Sequence, residues 1–470
     1  MNNTVHNQET SSPEFDDEIS RSLYAKREKI YPREVHGIFA DLRIISTVLL
    51  LGIFYGSPWL KWNDQQAILF DLPARKFHLF GFTFWPQDFI YLAALLIIAG
   101  LSLFFFTALA GRLWCGYACP QTVWTNIFLW MERLIEGNRI KQMRLDESKL
   151  TFNKFRIKAT KHFLWLTFSL VTGITFVSYF IPASELWYET VTLTLGPWAT
   201  FWILFYGFAT YGNAGWMREQ VCLYMCPYAR FQSAMFDDDT LVVSYDKNRG
   251  EPRGARRPDI DHHREGMGDC INCGLCVRVC PTGIDIRDGL QYECIGCSAC
   301  IDVCNDVMAK MKYPTGLIRY TTESILKGKT PRILRPRIVL YGSILSCLFV
   351  VLVVSILQRI PLELDVIRDR NQLYRETAGL IENVYTLKIL NMDDRQHDYI
   401  LQADGITDLE LHMDSDKIFV EAGTVLDLPV RLRADEQYLQ ARSTEIQFNL
   451  TAEDDHHLTK TESAKFLGPQ

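Results

Sequence analysis

Five stretches of this chain are apolar almost without interruption: about 40–58, 89–110, 162–182, 196–214 and 338–357. About 30 Å of hydrocarbon takes roughly 20 helical residues at 1.5 Å each, so the pattern predicts five membrane-spanning helices. Buried helices of a soluble core would give shorter runs, of about 10–14 residues. Beyond residue 359 the period changes to two, with Tyr385, Leu387, Ile389; Leu409, Leu411, Met413; Leu426, Leu428, Val430, Leu432; and Ile446, Phe448, Leu450 on one face of successive short segments. Gly405 and Gly423 with Asp/Asn clusters supply turns between them, so the tail is expected to be a small, immunoglobulin-like β-sandwich.

Basic residues orient the spans. The segment 111–161 carries ten Lys/Arg, 59–88 carries three and 183–195 none, while Lys26, Arg27, Lys29 and Arg33 precede the first span. By the positive-inside rule the N-terminus, 111–161 and 215–337 are expected in the cytoplasm, and the tail outside. Met1 to His36 is too long and acidic for the first segment of a signal peptide, so the first span is expected to be an uncleaved anchor. The expected organisation is thus a cytoplasmic segment 1–37, a four-span membrane domain 38–236, a cytoplasmic domain 237–335, a fifth helix 336–358 and an external domain 359–470.

Composition narrows the function. The 470 residues are 48% hydrophobic and 22% charged, which excludes a mostly disordered chain. A net charge of −6 gives no basic field for nucleic acid. The run Arg249 to Arg264 is read as a solvated or lipid-headgroup face, not a nucleic-acid site. The tail holds 22 Asp/Glu against 12 Lys/Arg and no cysteine. Its His456 and His457 are read as inert surface residues.

Eight of the thirteen cysteines lie between 270 and 304. Cys270-x2-Cys273-x2-Cys276-x3-Cys280-Pro281 is followed by Cys294-x2-Cys297-x2-Cys300-x3-Cys304, the doubled spacing of a bacterial ferredoxin with two [4Fe–4S] clusters. The fourth cysteine of each run reaches across. Cys270, Cys273, Cys276 and Cys304 are therefore assigned to one cluster, and Cys294, Cys297, Cys300 and Cys280 to the other. Structural zinc uses paired knuckles instead of triplets closed by a fourth cysteine, and a cytoplasmic setting argues against disulfides. Asn305 stands where a proline usually follows the second run. Such a module carries electrons but makes no bonds, so it needs a terminus.

A second cysteine pattern supplies one. Cys115-Gly-Tyr-Ala-Cys119-Pro120 follows the second span and Cys222-Leu-Tyr-Met-Cys226-Pro227 the fourth, each with an arginine upstream, Arg112 or Arg218. On a helix, i and i+4 share a face, so each pair brackets one metal ion, and the following proline kinks or ends the helix. A parallel repeat would bring both motifs to the cytoplasmic boundary, where the four thiols converge. Soft thiolates suit Cu(I), zinc and iron–sulfur chemistry. Haem is disfavoured because the spans offer only His162, and no flavin-binding G-x-G-x-x-G opens a helix. Cys347 is read as a packing residue. Met217, Met225 and Met235 are weighed as Cu(I) relays against plain packing.

The chain resembles the FixG/CcoG/RdxA family of cytochrome c oxidase accessory proteins, through WCGYACPQTVW at 114–124, CLYMCPYARFQ at 222–232, RGEPRG at 249–254, the paired cluster motifs at 268–304 and RDRNQLYRE at 368–376. The resemblance implies a bacterial inner-membrane protein with a periplasmic immunoglobulin-like tail. It also implies reduction of Cu(II) to Cu(I) for assembly of the cbb3-type oxidase, with Cys115, Cys119, Cys222 and Cys226 as copper ligands. The partners implied are lipid, oxidase subunits or copper chaperones and transporters, and an electron donor left unnamed; a homodimer is allowed. Two rival readings stand beside it: a quinol-linked electron-transfer subunit, and a non-enzymatic assembly scaffold.

Overall fold

The computed structural model describes residues 29–62, 65–257, 266–369, 372–377, 379–393, 395–414, 417–439 and 441–469. It divides into two compact units, each built from three segments: Met1–Leu50, Phe106–Ser169 and Phe208–Ile333 in one, Leu51–Phe105, Leu170–Gly207 and Leu334–Gln470 in the other.

Three helices are long and apolar enough to cross a bilayer: Ile38–Trp59, Pro86–Ala110 and Pro336–Leu357. Ile44, Val48, Ile90, Leu96 and Val350 on them are each more than half exposed, a surface that suits a lipid surrounding. A fourth crossing is counted only if Ala183–Thr192 and Pro197–Met217, bent by 93°, are one span. Against the five expected, the shortfall falls on 162–182. That segment lies on the helix Phe152–Val177, whose first half carries Lys154, Arg156, Lys158 and Lys161. It then stops at Val177, where Phe180 and Ile181 both donate back to the Val177 carbonyl. The apolar part left between is short for a full crossing.

The first unit joins the start of the first apolar helix to a small cysteine-rich module. Asp302, on the helix Ala299–Met311, accepts hydrogen bonds from the backbone N–H groups of Phe39 and Ala40 at 3.3 and 2.8 Å. It thereby satisfies donors that the first turn of Ile38–Gly56 leaves open. Within the module the strands Val242–Tyr245 and Ile318–Thr321 pair antiparallel over a core of Val243, Tyr245, Ile286, Met308 and Leu317.

The second unit contains the β-sandwich. One sheet has the order Glu410–His412, Val425–Ala434, Leu380–Asn391, Leu362–Arg368, with Arg375–Thr377 also paired to Leu380–Asn391. The other runs Ile418–Val420, His397–Asp404, Ser443–Ala452, Thr459–Leu467. Every pairing within them is antiparallel. The expected alternation sets the register: Tyr385 faces Val430, Leu387 faces Leu428 and Ile389 faces Leu426. Tyr385, Leu387, Ile389, Ile446, Phe448 and Leu450 have no exposed surface. At about 1.5–3 kcal/mol per large apolar side chain, this interior is the main stabilisation of the sandwich. The Tyr385 and Phe448 rings meet edge to face at 5.4 Å, joining the sheets. The segment 59–88, read from sequence only as a connection, folds into the meander Ile68–Asp71, Lys76–Leu79, Phe82–Phe84. His456 and His457 are exposed, as expected.

Buried His397 holds Asp393 at 2.9 Å through Nε2 and Asp454 at 2.9 Å through Nδ1. Burial pushes its pKa down, but the two carboxylates together raise it above the ordinary value. A raised histidine contributes its full stabilisation below about pH 6.5, the free-histidine value, and loses it as pH rises through the raised one. Hydrogen exchange on the full chain, corrected for intrinsic rates, should therefore show protection of 397–404 and 443–452 falling over that window. His397→Gln should flatten the dependence.

Candidate metal centre

The eight cysteines of the module sit on two loops of matching geometry. Asn272 and Gly296, one before the middle cysteine of each triplet, have φ of 54° and 68°. Gly274 and Ser298, one after it, have φ of 66° and 60°. Each loop thus turns twice through the left-handed region before a helix begins at Leu275 or Ala299; Cys270 and Cys276 are buried and Cys273 is exposed. The loops bound two separate cavities. One is lined by Cys270, Cys273, Cys276 and Cys304. Cys280, Cys294, Cys297 and Cys300 line the other, together with Cys276, which lines both. Each cavity thus contains one of the two sets that the spacing assigned.

The donor chemistry fits the iron–sulfur clusters that the spacing implies. Burial pushes the Cys294 and Cys304 thiols up to about 12 and Cys276 up to about 11, and raises Cys280 and Cys300 as well. Bare thiolates are thus penalised here, and positively charged iron is the counter-charge that lets them ligate.

Arg249 and Arg256, taken from sequence as part of a solvated face, brace the first loop instead. Arg249 donates to Asp269, beside Cys270, and to the carbonyls of Pro314 and Thr315. Arg256 donates to the Gly268 carbonyl and lies over the Tyr313 ring. The rest of that run, 258–264, lies outside the described residues. Asn305, in the place of the usual proline, accepts a bond from the Gly316 N–H at 2.9 Å.

The two C-x3-C-P motifs share a local fold that differs from the single helical face expected. Cys119 N–H donates to the Trp114 carbonyl and Cys226 N–H to that of Val221, both at 2.8 Å and both spanning five residues. That wide turn is one residue longer than an α-helical one. Cys119 and Cys226 are extended and precede new helices, Pro120–Glu136 and Pro227–Ser233. Each proline therefore opens a helix at its first position, where the missing N–H costs nothing, and does not merely end the one before.

The four thiols are neighbours. Burial pushes Cys115 and Cys222 up to about 12 and raises Cys119; the charge of Cys222 also acts on Cys115, that of Cys119 on Cys222, and that of Cys226 on Cys119. They do not close on one point, however. Among the described residues no three His, Cys, Asp or Glu side chains form a set that could hold a single ion. Met225 is exposed, as is Cys347.

The first motif rests directly on the cluster module. A Cβ added at Gly116, inside Cys115–Cys119, would sit 2.7 Å from the Gly296 carbonyl oxygen and 3.1 Å from the Cys297 Cα. Only glycine allows this approach. Buried Arg112 fixes it, donating to the carbonyls of Tyr292 and Cys294 in the cluster loop and of Ala229 beyond the second motif, the last two at 2.7 and 3.0 Å.

Arg218 is not a second Arg112. It precedes its cysteine by four residues, where Arg112 precedes Cys115 by three, and it bonds buried Glu132 at 2.7 Å and the Gly215 carbonyl at 2.9 Å. Burial alone would raise the Glu132 carboxyl, but Arg218, Lys29 and Lys161 pull it down to about 2. Arg218 has φ of 44°, a conformation costing about 1–3 kcal/mol unless its surroundings enforce it. Gln121, just after Cys119-Pro120, does so by donating to the Arg218 and Asn213 carbonyls at 3.0 and 2.9 Å. Gln232 likewise accepts from Cys115 Sγ at 3.7 Å and donates to the Gly111 carbonyl at 3.3 Å. Glu132 carried no signal in the sequence, and Gln121 and Gln232 were visible only as members of the two family motifs. Gly116 and Gly296 did carry one, as glycines between paired cysteines.

Gly116→Ala should separate the two backbones. The expected outcome is iron falling from about eight toward about four per chain, as the Cys294–Cys300 loop loses its support. Iron and sulfide analysis of detergent-purified protein, with Gly100→Ala as a control in open space, would measure it.

Comparison with known families agrees with this construction. Residues 217–323 match the 4Fe-4S dicluster domain family, 352–469 the IG-like fold at the C-terminus of FixG, and 92–138 a 4Fe-4S binding domain. Protein RdxA of Cereibacter sphaeroides is 41% identical over 433 residues, covering 88% of this chain and 89% of that protein. Nitrogen fixation protein FixG of Rhizobium meliloti is 38% identical over 422 residues, covering 82% and 80%. A crystal structure of a FixG-related protein from Vibrio parahaemolyticus is 39% identical, covers 23% of this chain and 98% of that one, and has a TM-score of 0.22. With this identity along most of its length, and with the C-terminal domain that bears the family's name, the chain belongs to the FixG/RdxA family.

Proposed function

We propose that this iron–sulfur protein reduces Cu(II) to Cu(I) at the four thiols Cys115, Cys119, Cys222 and Cys226, and that the product serves assembly of a cbb3-type oxidase. The reading counts the bent pair and the shorter helix Phe152–Val177 as crossings, which makes five in a bacterial inner membrane, with both cysteine systems cytoplasmic and the sandwich periplasmic, as the basic bias of the connections favours.

One observation carries the proposal: the close approach of Gly116 to Gly296 and Cys297. It supports a soft-donor site, suited to Cu(I), lying beside the loop that would hold a cluster. Cys270, Cys273, Cys276 and Cys304, and Cys294, Cys297, Cys300 and Cys280, would hold two [4Fe–4S] clusters, which supply one-electron redox chemistry when bound. The chain's own residues do the rest. Cu(II) is the substrate and gains one electron. Thiolate ligands stabilise Cu(I) over Cu(II) and so favour the reduction. Arg112 places one guanidinium charge where it favours the thiolates of both Cys115 and Cys294. Arg218, Glu132 and Gln121 hold the second motif beside the first.

A second reading has one observation behind it. The match at 92–138 is described as a 4Fe-4S binding domain, and its cysteines are Cys115 and Cys119 alone. The four thiols would then hold a further cluster. Iron analysis separates the readings: about eight irons plus bound copper support the first, about twelve the second.

Serine at Cys115, Cys119, Cys222 or Cys226 should leave the cluster absorbance intact. Copper bound and reduced should fall by more than the roughly 10–100-fold that outer-shell changes cost. Unchanged copper reduction in all four variants would refute the site.

A further inference from the structure

The first unit contains a cavity of about 440 Å³ that reaches both cysteine systems but is larger than either needs for a metal. It falls within the roughly 300–1,000 Å³ range of small-molecule sites. We infer that it binds a membrane quinol, a hydroquinone carrying an apolar tail. The inference deepens the redox reading above by naming the class of the reductant, and it does not depend on copper.

The two ends of the cavity differ in chemistry. Its outer wall includes Ile44 and Val48, one helical turn apart on the first apolar helix, and Trp130 on Pro120–Glu136. These side chains are 62%, 65% and 55% exposed, so the opening lies in an apolar surface, where a lipid-soluble ligand arrives. The inner wall includes Cys222 of the second thiolate motif and Cys297 of the cluster loop. Arg43 reaches across to donate to the Cys297 carbonyl at 2.7 Å. A ligand seated here touches lipid at one end and a redox ligand loop at the other.

The polar lining selects among occupants. Four arginines face three carboxylates, a balance that disfavours a divalent cation. Arg133 also lines the cavity, and its buried Nε–H has no partner. An orphaned buried donor calls for an acceptor oxygen, which a quinone carbonyl or quinol hydroxyl supplies. Phosphate oxygens of a lipid headgroup would satisfy it too, but a lipid gives no reason for a cavity to end on Cys297. Oxidation of the bound hydroquinone to the quinone breaks two O–H bonds and releases two protons and two electrons. Glu34 and Asp41 in the wall are the proton acceptors, and two electrons are what a pair of one-electron centres in this module takes up.

The test is photolabelling of the full chain in detergent with an azido-ubiquinone, followed by peptide mapping, with decylubiquinone or phosphatidylglycerol as competitor. Expected are labels within 38–48 or 120–136 that decylubiquinone competes away and phosphatidylglycerol does not. Arg133→Gln should weaken labelling about tenfold, the loss of one charge-assisted hydrogen bond. Val48→Trp, at an exposed position, should block the mouth and abolish labelling if Arg133→Gln fails to fold. Labels elsewhere, equal competition by the phospholipid, or labelling untouched in the variants that fold would each overturn the inference. Cys119→Ser loses copper under the proposed function yet should still be labelled, so the two ideas fail separately.

Discussion

The architecture of the first unit depends on two glycines in contact. Gly116 lies between the cysteines of one motif, and Gly296 between two cysteines of another far along the chain. A Cβ on Gly116 would meet the Gly296 carbonyl oxygen at 2.7 Å, and one on Gly296 would meet the Arg112 carbonyl oxygen at 3.0 Å. Because the approach is backbone to backbone, it fixes position more firmly than side-chain packing does, since no rotamer can relax it. Arg112 then ties its own segment to Tyr292, Cys294 and Ala229. Three stretches distant in sequence thereby take a common position, and all three carry cysteine motifs.

Much of this was legible in the sequence, for identifiable reasons. The dicluster module was readable because a cubane constrains spacing along the chain, and each expected ligand set lines one cavity, with Cys276 lining both. The sandwich was readable because a strand buried on one face must alternate, as at Tyr385, Leu387 and Ile389. The conformation of the C-x3-C-P motifs was not. A proline after a cysteine is compatible with a kink, a stop or a new start, and what decides is the five-residue hydrogen bond closing each motif. The one-residue difference in arginine spacing mattered more than the likeness, because it sends Arg218 to Glu132 and leaves Arg112 for the cluster loop.

The span count shows the limit of hydropathy as a signal. It registers the apolar run at 162–182 but not how the chain shares that run between helix and turn. Lys158 and Lys161 at its start bond buried Glu132 and Glu136, so this end of the helix is held by protein charges. A helix so anchored can be shorter than the bilayer requires, because its polar end already has partners.

Charge is what links the two cysteine systems physically. Arg112 is buried, permanently charged and acted on by both Cys115 and Cys294. In surroundings of low effective dielectric its charge is weakly screened, so the one guanidinium favours the thiolate form of both groups. The same guanidinium also holds the two backbones in contact, so a substitution there would disturb position and potential together. Gly116 isolates the steric part, since replacing it moves the backbone without removing a charge.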